Sequence, residues 1–219
     1  MATGPTRENA APNDGLSSRS VRITTSYHEY TPPFAVEPIV RRMLDSVPDK
    51  YLSGLNEVAL TNTSGMSRER RRAVTKSRKR KVRMLDARGL YHPAWNNRPA
   101  WIEIFVDNIL RGWEKGLWLY IPFMREGGLA EVLFHEIGHH IHYTTRPEHK
   151  EREDVADVWK ARLQRNYSRA RHPWLRAITS PFRFLIRAIS SGVYRKALRK
   201  EMISRAEFEE LMNPNTKTL

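Results

Sequence analysis

The residues best suited to catalysis lie in one nine-residue stretch, Phe134–His142, which reads Phe-His-Glu-Ile-Gly-His-His-Ile-His. Within it, His135, Glu136 and His139 form the pattern His-Glu-x-x-His. Residues four apart on an α-helix share a face, so both imidazoles can bind one zinc ion. Glu136 lies about 100° round the helix from His135. From that position its carboxylate can accept a proton from a metal-activated water during attack on a carbonyl.

A catalytic zinc needs a third protein ligand and an open position for water. A metzincin has a histidine six residues after the second motif histidine, but that position is Thr145, which excludes the class. The next predicted helix offers Glu153 and Asp157, which are four residues apart and face the same way. One of these carboxylates can bind zinc while the other orients a ligand histidine through its ring N–H. His149 is the alternative third ligand, in a three-histidine site.

The reaction also requires a donor that stabilises the developing oxyanion. His142, Tyr143 and Tyr91 are candidates, and the sequence does not choose among them. His142 is seven residues after His135 and shares its face, although it is equally explained as a polar residue at the helix end. His140 points elsewhere and is expected at the surface.

The motif requires a helix to position it, and an apolar stripe at helical spacing predicts one from Gly128 to Tyr143. The stripe consists of Ala130, Phe134, Ile137 and Ile141. Gly138 costs this helix about 1 kcal/mol of propensity, but it allows another element to approach closely. A second helix is predicted from about residue 148 to 167.

Upstream, apolar spacing predicts a helix over Phe34–Leu44. Short strands are predicted at Val58–Thr61, Gly89–His92 and Trp101–Val106, the last rich in β-branched and aromatic residues. In metalloproteases of this architecture, a strand before the active-site helix binds the substrate backbone by strand addition. Trp101–Val106 is the candidate if it lies at a sheet edge; otherwise it is an ordinary central strand.

The two motifs together carry a family resemblance. His135–His139, followed by Glu153-Asp154-Val155-Ala156-Asp157-Val158-Trp159, resembles the ImmA/IrrE-type minimal gluzincins. That family shows His-Glu-x-x-His and then Glu-x-x-Ala-Asn/Asp-x-aromatic after a short connection. The resemblance covers about residues 36–165 and implies an α+β fold of the zincin type. Its expected core is a short three-stranded sheet packed on an active-site helix and a glutamate helix.

The resemblance also implies a role for each motif residue. His135, His139 and Glu153 would bind Zn²⁺, Glu136 would be the general base, and Asp157 would orient a ligand histidine. The sequence departs from the family at the residue that follows the second motif, where Lys160 stands in place of a small side chain.

Charge is distributed unevenly along the chain, whose net charge is +14. Residues 66–85 hold ten Lys/Arg and one acidic residue, and residues 161–219 hold thirteen and four, so each segment carries a net +9. The remainder carries a net −4. This asymmetry suggests contact with a polyanion, either nucleic acid or an anionic membrane surface.

Three regions follow from these patterns. Residues 1–32 are predicted to be a disordered arm, residues 33–168 the metallopeptidase-like domain, and residues 169–219 basic amphipathic C-terminal helices. The basic segment 66–85 reads as an insertion in the domain, either an exposed helix or a mobile segment. It contains no aromatic residue, which disfavours base stacking.

Composition excludes several classes. The 219 residues suffice for one domain with a core. The absence of cysteine excludes disulfides, thiolate zinc fingers, iron–sulfur clusters and a cysteine nucleophile. No signal-peptide apolar region and no apolar stretch of about 18 residues occurs, so a cytoplasmic protein without a transmembrane helix is expected.

The sequence thus predicts a zinc metalloendopeptidase that hydrolyses peptide bonds in a protein or peptide substrate. The alternative is a zinc-stabilised module, catalytically weak or inactive, that binds nucleic acid or an anionic membrane through its basic segments. Substrate, cleavage specificity and oligomeric state do not follow from the sequence.

Overall fold

The computed structural model describes residues 21–77, 80–111, 121–145 and 152–172. Within these ranges the chain forms six strands and five α-helices. In chain order they are β1 (Arg22–Ser26), α1 (Glu37–Asp45), β2 (Leu55–Thr61), α2 (Arg68–Arg72), β3 (Val74–Ser77), β4 (Arg80–Arg83), β5 (Gly89–His92), β6 (Ala100–Phe105), α3 (Val106–Leu110), α4 (Pro122–Thr145) and α5 (Arg152–Arg171).

Four of the strands form one mixed sheet in the order β1-β2-β6-β5. The pairings β1–β2 and β2–β6 are parallel, whereas β5 runs antiparallel to β6 at the edge. The predicted α+β class and the three predicted strands are therefore confirmed. The sheet has four strands instead of the expected three.

The additional strand, β1, lies inside the segment 1–32 that the sequence predicts as a disordered arm, so the prediction is wrong from residue 22 onward. Its sequence is rich in β-branched residues, which favour a pleated strand. Glu57 on β2 accepts hydrogen bonds from Arg22 and from the hydroxyl of Thr24 on β1. Pairing with β2, which local sequence patterns do not reveal, recruits this segment into the sheet.

The hydrophobic core lies between the sheet and helices α1, α4 and α5. Val58 and Leu60 on β2 and Ile102 and Ile104 on β6 are fully buried and belong to the same cluster as Leu133 on α4. Side chains alternate across a strand, so these positions define the face of the sheet that packs on α4.

Helix α4 runs well beyond its predicted bounds of Gly128 and Tyr143 at the N-terminal end, because Gly127 and Gly128 do not interrupt it. All four residues of the predicted stripe are buried, which confirms the face assigned to the core. This buried face fixes the orientation of the helix and therefore the direction in which its histidines point.

Helices α4 and α5 are antiparallel and cross very closely at Gly138. A Cβ atom at position 138 would lie 2.6 Å from the backbone oxygen of Ala156 and 2.8 Å from its Cα. Nearer the other ends of the helices, the buried carboxylate of Glu126 accepts hydrogen bonds from the hydroxyl of Tyr167 and from Nε2 of His172, at 2.9 and 3.0 Å. The close approach predicted for Gly138 is confirmed, and its partner is the backbone of α5.

The basic insertion forms neither a long helix nor one irregular segment. Ser67 caps the short helix α2 by accepting a hydrogen bond from the N–H of Arg70. Strands β3 and β4 then form a two-stranded antiparallel ribbon. Val74, Thr75 and Val82 supply β-branched residues to these strands, which explains why the helix does not continue.

Helix α5 extends to Arg171, beyond the predicted end near residue 167. The predicted C-terminal helices of 169–219 lie outside the described residues from position 173 onward. His149, the alternative third ligand, also lies outside the described residues. Among the helices in the described ranges, none combines the length and apolar character needed to cross a bilayer.

Candidate metal centre

Two histidines on α4 form the first half of the centre. His135 and His139 lie one helical turn apart, with their ring centroids 4.8 Å from each other and their planes nearly perpendicular. Their side chains retain 22% and 15% of their exposure, so both rings are sheltered yet reachable. The buried stripe of α4 holds the helix in the orientation that turns these rings towards α5.

Glu153, in the first turn of α5, completes the group. Its carboxylate lies 3.5 Å from Nε2 of His135 and 3.9 Å from Nε2 of His139. One ligand atom from each of the three residues falls within 4.8 Å of the other two. A tetrahedral ion with bonds of about 2.0–2.2 Å requires ligand atoms roughly 3.3–3.6 Å apart. The three predicted ligands are therefore brought together, and atoms that are up to 4.8 Å apart would have to approach one another by at most about 1.2–1.5 Å to hold an ion.

Asp157 lies on the far side of the His135 ring from Glu153. Its Oδ1 atom is 3.2 Å from Nδ1 of His135, within ion-pair distance, although this buried nitrogen is not aligned for a hydrogen bond. The ring thus points one nitrogen at the shared ligand position and the other at a carboxylate, an arrangement found around bound metals. Lys160 places its ammonium 3.0 Å from the same Asp157 oxygen, so that this acid has a basic partner as well.

Glu136 is buried between α4 and strand β5. The backbone N–H of Tyr91 donates a hydrogen bond to its carboxylate. Burial raises the pKa of Glu136 to about 8, and the negative charge of Glu153 adds to the shift, while the Tyr91 N–H opposes it. Glycine at position 89 allows β5 to approach α4 this closely, because a Cβ there would lie 2.9 Å from Oε1 of Glu136 and 2.6 Å from a methyl carbon of Val132.

Strand β5 presents an unpaired edge beside Glu136. The N–H of Phe105 bonds to the oxygen of Arg88 at 2.9 Å, in register with the β5–β6 ladder. Bonded and non-bonded pairs alternate in an antiparallel ladder, so the backbone groups of Gly89 and Tyr91 face away from β6. No other strand in the described ranges pairs with β5 on this side.

Of the two interpretations of Trp101–Val106, the ordinary central strand is confirmed, because β6 does not lie at a sheet edge. Residues Trp101–Phe105 belong to β6, which is paired with β2 on one side and with β5 on the other. Its backbone groups are committed to the sheet, and β5 holds the edge position instead.

The remaining histidines of the motif helix are buried. His140 was expected at the surface, but its ring lies between the oxygen of Ser53 and the hydroxyl of Tyr91, 3.1 and 3.2 Å from its two nitrogens. Burial lowers the pKa of His140, although the bond with Ser53 opposes the shift. The expectation fails because α4 is enclosed on more sides than one apolar stripe indicates.

Two of the three candidate oxyanion donors, His142 and Tyr143, lie further along the same helix, and the third, Tyr91, is on β5. His142 is fully buried, with its ring edge-on to Tyr143 at 5.7 Å between centroids. The Tyr143 ring is in turn 5.5 Å from that of Tyr91. His142 does not belong to the group of converging ligand atoms found in the described ranges. The choice of oxyanion donor stays a prediction.

Sequence reasoning missed the part that β5 plays in holding Glu136. Tyr91 enters the site through its backbone N–H, a group that every residue but proline carries and that no side-chain pattern reveals. Gly89 was the available signal, because a glycine at the start of an extended segment often marks a close approach.

Comparisons with protein-family models, with curated proteins and with solved structures give no match for this chain. The function of the centre is therefore inferred from its own residues and their geometry.

Proposed function

We propose that the protein is a zinc-dependent metallopeptidase that hydrolyses peptide bonds in a protein substrate. The convergence of His135, His139 and Glu153 beside the buried carboxylate of Glu136 carries the proposal. The resemblance of both motifs to the minimal gluzincins supports it independently of distances.

The donor set favours zinc over harder cations. Two imidazole nitrogens and one carboxylate match the ligands that zinc uses in catalytic sites, whereas Ca²⁺ and Mg²⁺ prefer oxygen ligands throughout. Three protein ligands leave a fourth position for water or substrate. When bound there, zinc would act as a Lewis acid and lower the pKa of a coordinated water.

Glu136 is the proton acceptor in this proposal, because a zinc ion bound beside it would lower the raised pKa of its carboxyl and favour the ionised form. Its carboxylate takes a proton from the attacking water and passes it to the leaving amine. The Tyr91 N–H and the wall formed by Gly89 and Val132 hold the carboxylate in one orientation, so little reorganisation is needed. Asp157 orients the His135 ring through Nδ1, and Lys160 holds Asp157 in place.

The edge of β5 is the proposed position for the substrate backbone. A peptide laid along this edge would pair with the outward backbone groups of Gly89, and its scissile carbonyl would lie near Glu136. An extended segment satisfies such pairing regardless of its side chains, which favours an unfolded or flexible region of a protein as substrate.

The test replaces Glu136 with glutamine, which keeps the shape of the side chain and removes its basicity. Zinc content by elemental analysis and cleavage of fluorescein-labelled casein are measured for the full chain. We expect one zinc per chain in both proteins, with cleavage by Glu136→Gln reduced at least about 100-fold.

Glu131→Gln is the matched control, since Glu131 is exposed on the same helix. It should retain full activity. If the zinc-loaded native protein cleaves casein no faster than Glu136→Gln, the peptidase proposal fails and the inactive zinc-stabilised module is favoured.

A further inference from the structure

The segment that contains the ribbon of β3 and β4 concentrates positive charge. From Arg70 to Leu85 the sequence holds nine Lys/Arg and no Asp/Glu. Two strands of four residues, with no third strand beside them in the described ranges, form only a marginally stable unit in water. The composition makes this ribbon harder to form, because its charges repel one another.

The register increases the repulsion. The N–H of Met84 bonds to the oxygen of Ala73 at 2.9 Å, in line with the β3–β4 ladder. Bonded and non-bonded pairs alternate from there, which makes Lys76–Lys81 a directly opposed, non-bonded pair in the backbone register. Like charges directly opposite each other destabilise a sheet. Arg83 lies on the same face of the ribbon, two positions along.

The base of the ribbon is nevertheless fixed to the body of the protein. The guanidinium of Arg70 on α2 forms a forked ion pair with the carboxylate of Glu103 on β6 and lies 5.7 Å from the ring of Phe105. Burial acts to raise the pKa of Glu103, but His92 and Arg70 outweigh it and lower the pKa. One arginine of the insertion is thus committed to an anchor.

The anchor places the ribbon away from the candidate metal centre. Ile102 and Ile104 point from β6 towards α4, so Glu103 points to the opposite face of the sheet. Several cations around the base stay exposed to solvent. They are Arg68, Arg71, Arg72, Arg83, Arg88 and Arg111. Asp86 approaches this group, at 3.5 Å from Arg83 and 3.7 Å from Arg111, and Glu69 lies among the arginines of α2.

We propose that the β3–β4 ribbon, with the exposed arginines at its base, binds double-stranded DNA. The major groove of B-form DNA admits a two-stranded β-ribbon, and the phosphates on either side would neutralise the opposed lysines. Between Met66 and Leu90 the sequence contains no aromatic residue that could stack on a base or insert into a membrane interface. The major groove of an RNA duplex is too narrow for such a ribbon.

The experiment measures binding of the full chain to a fluorescein-labelled 20-base-pair DNA duplex by anisotropy at several salt concentrations. The variant Lys76→Gln/Lys81→Gln removes the opposed pair. Each phosphate contact contributes about 0.9 to the slope of log affinity against log salt. Losing two contacts should reduce the magnitude of this slope by about 1.8. When salt is raised from 50 to 200 mM, the factor by which affinity decreases should therefore be about 12 times smaller for the variant than for the native protein.

The variant Lys50→Gln/Arg98→Gln removes two exposed cations remote from the ribbon and is the matched control. It should keep the native slope. The melting temperature of each protein without DNA shows whether the variants fold. Removal of the opposed lysines should leave this temperature unchanged or raise it.

Parallel titrations use single-stranded DNA, duplex RNA and vesicles of phosphatidylcholine and phosphatidylserine. The proposal is supported if the native protein binds duplex DNA more tightly than the other three ligands. The slope of log affinity against log salt should then be smaller for the ribbon variant alone. The proposal is overturned if the native protein does not bind the duplex at 50 mM salt, if both variants lose the same slope, or if RNA, single strands or vesicles bind more tightly.

Discussion

Replacing Gly138 by alanine tests whether the crossing of α4 and α5 sets the geometry of the metal centre. The new methyl group would lie 2.6 Å from the backbone oxygen of Ala156, where ordinary contacts begin at 3.4 Å. Since the neighbour is backbone, it cannot move aside as a flexible side chain can. Helix α5 must therefore retreat by about 0.8 Å at this point.

The retreat reaches the metal ligands because Glu153 is one helical turn from Ala156. Metal–ligand distances tolerate only about 0.2 Å, so a displacement several times larger costs affinity. We expect zinc affinity to fall at least about 10-fold, comparable with loss of a residue that orients a ligand. In the metal-free protein, overpacking should lower the free energy of unfolding by about 1–3 kcal/mol. The better helix propensity of alanine should restore about 1 kcal/mol of this loss.

Zinc affinity is measured by competition with a chelating dye, and the free energy of unfolding is measured in urea with the metal removed. Gly127→Ala is the matched control, because no atom lies within 4 Å of a Cβ added there on the same helix. It should stabilise the fold by up to about 1 kcal/mol and leave zinc affinity unchanged. A Gly138→Ala protein that binds zinc within twofold of the native affinity would refute the reasoning.

Two further predictions concern carboxylates around the helix pair. Asp157→Asn should lower zinc affinity about 10–100-fold, because His135 loses the charged partner of Nδ1, and unchanged affinity in the dye competition would contradict this role. Burial acts to raise the pKa of Glu126, but the hydrogen bonds from Tyr167 and His172 and the charge of Arg171 outweigh it and lower the pKa. The stability that Glu126 contributes is therefore fully present above its unfolded pKa, near 4.5, and is lost as pH falls through the lower folded pKa. Glu126→Gln should lower the free energy of unfolding, measured in urea at pH 7, by about 2 kcal/mol. The difference between the variant and the native protein should become smaller in acid. A difference that does not change with pH would show that the carboxylate charge is not involved.

Local spacing predicted the parts of the site that lie within one element. The faces of His135 and His139 follow from helical periodicity, and the strand at Trp101–Phe105 follows from its β-branched and aromatic residues. These inferences succeed because each needs only the geometry of a helix or a strand.

Contacts between distant segments could not be predicted in the same way. The strand at Arg22–Ser26 depends on pairing with β2, and the position of β5 at the edge depends on the order of the sheet. The burial of His140 follows from its contact with Ser53, 87 residues away in sequence. Such outcomes are decided by tertiary packing, which overrides local preference.

The candidate ligands come from two helices, so the proposed binding of zinc would be thermodynamically linked to the docking of α5 onto α4. At free zinc 100 times the dissociation constant, binding would add about 2.7 kcal/mol to the stability of the folded chain. Scarcity of the metal would then shorten the lifetime of the protein in a cell, because chains with a loosened α5 are readily degraded.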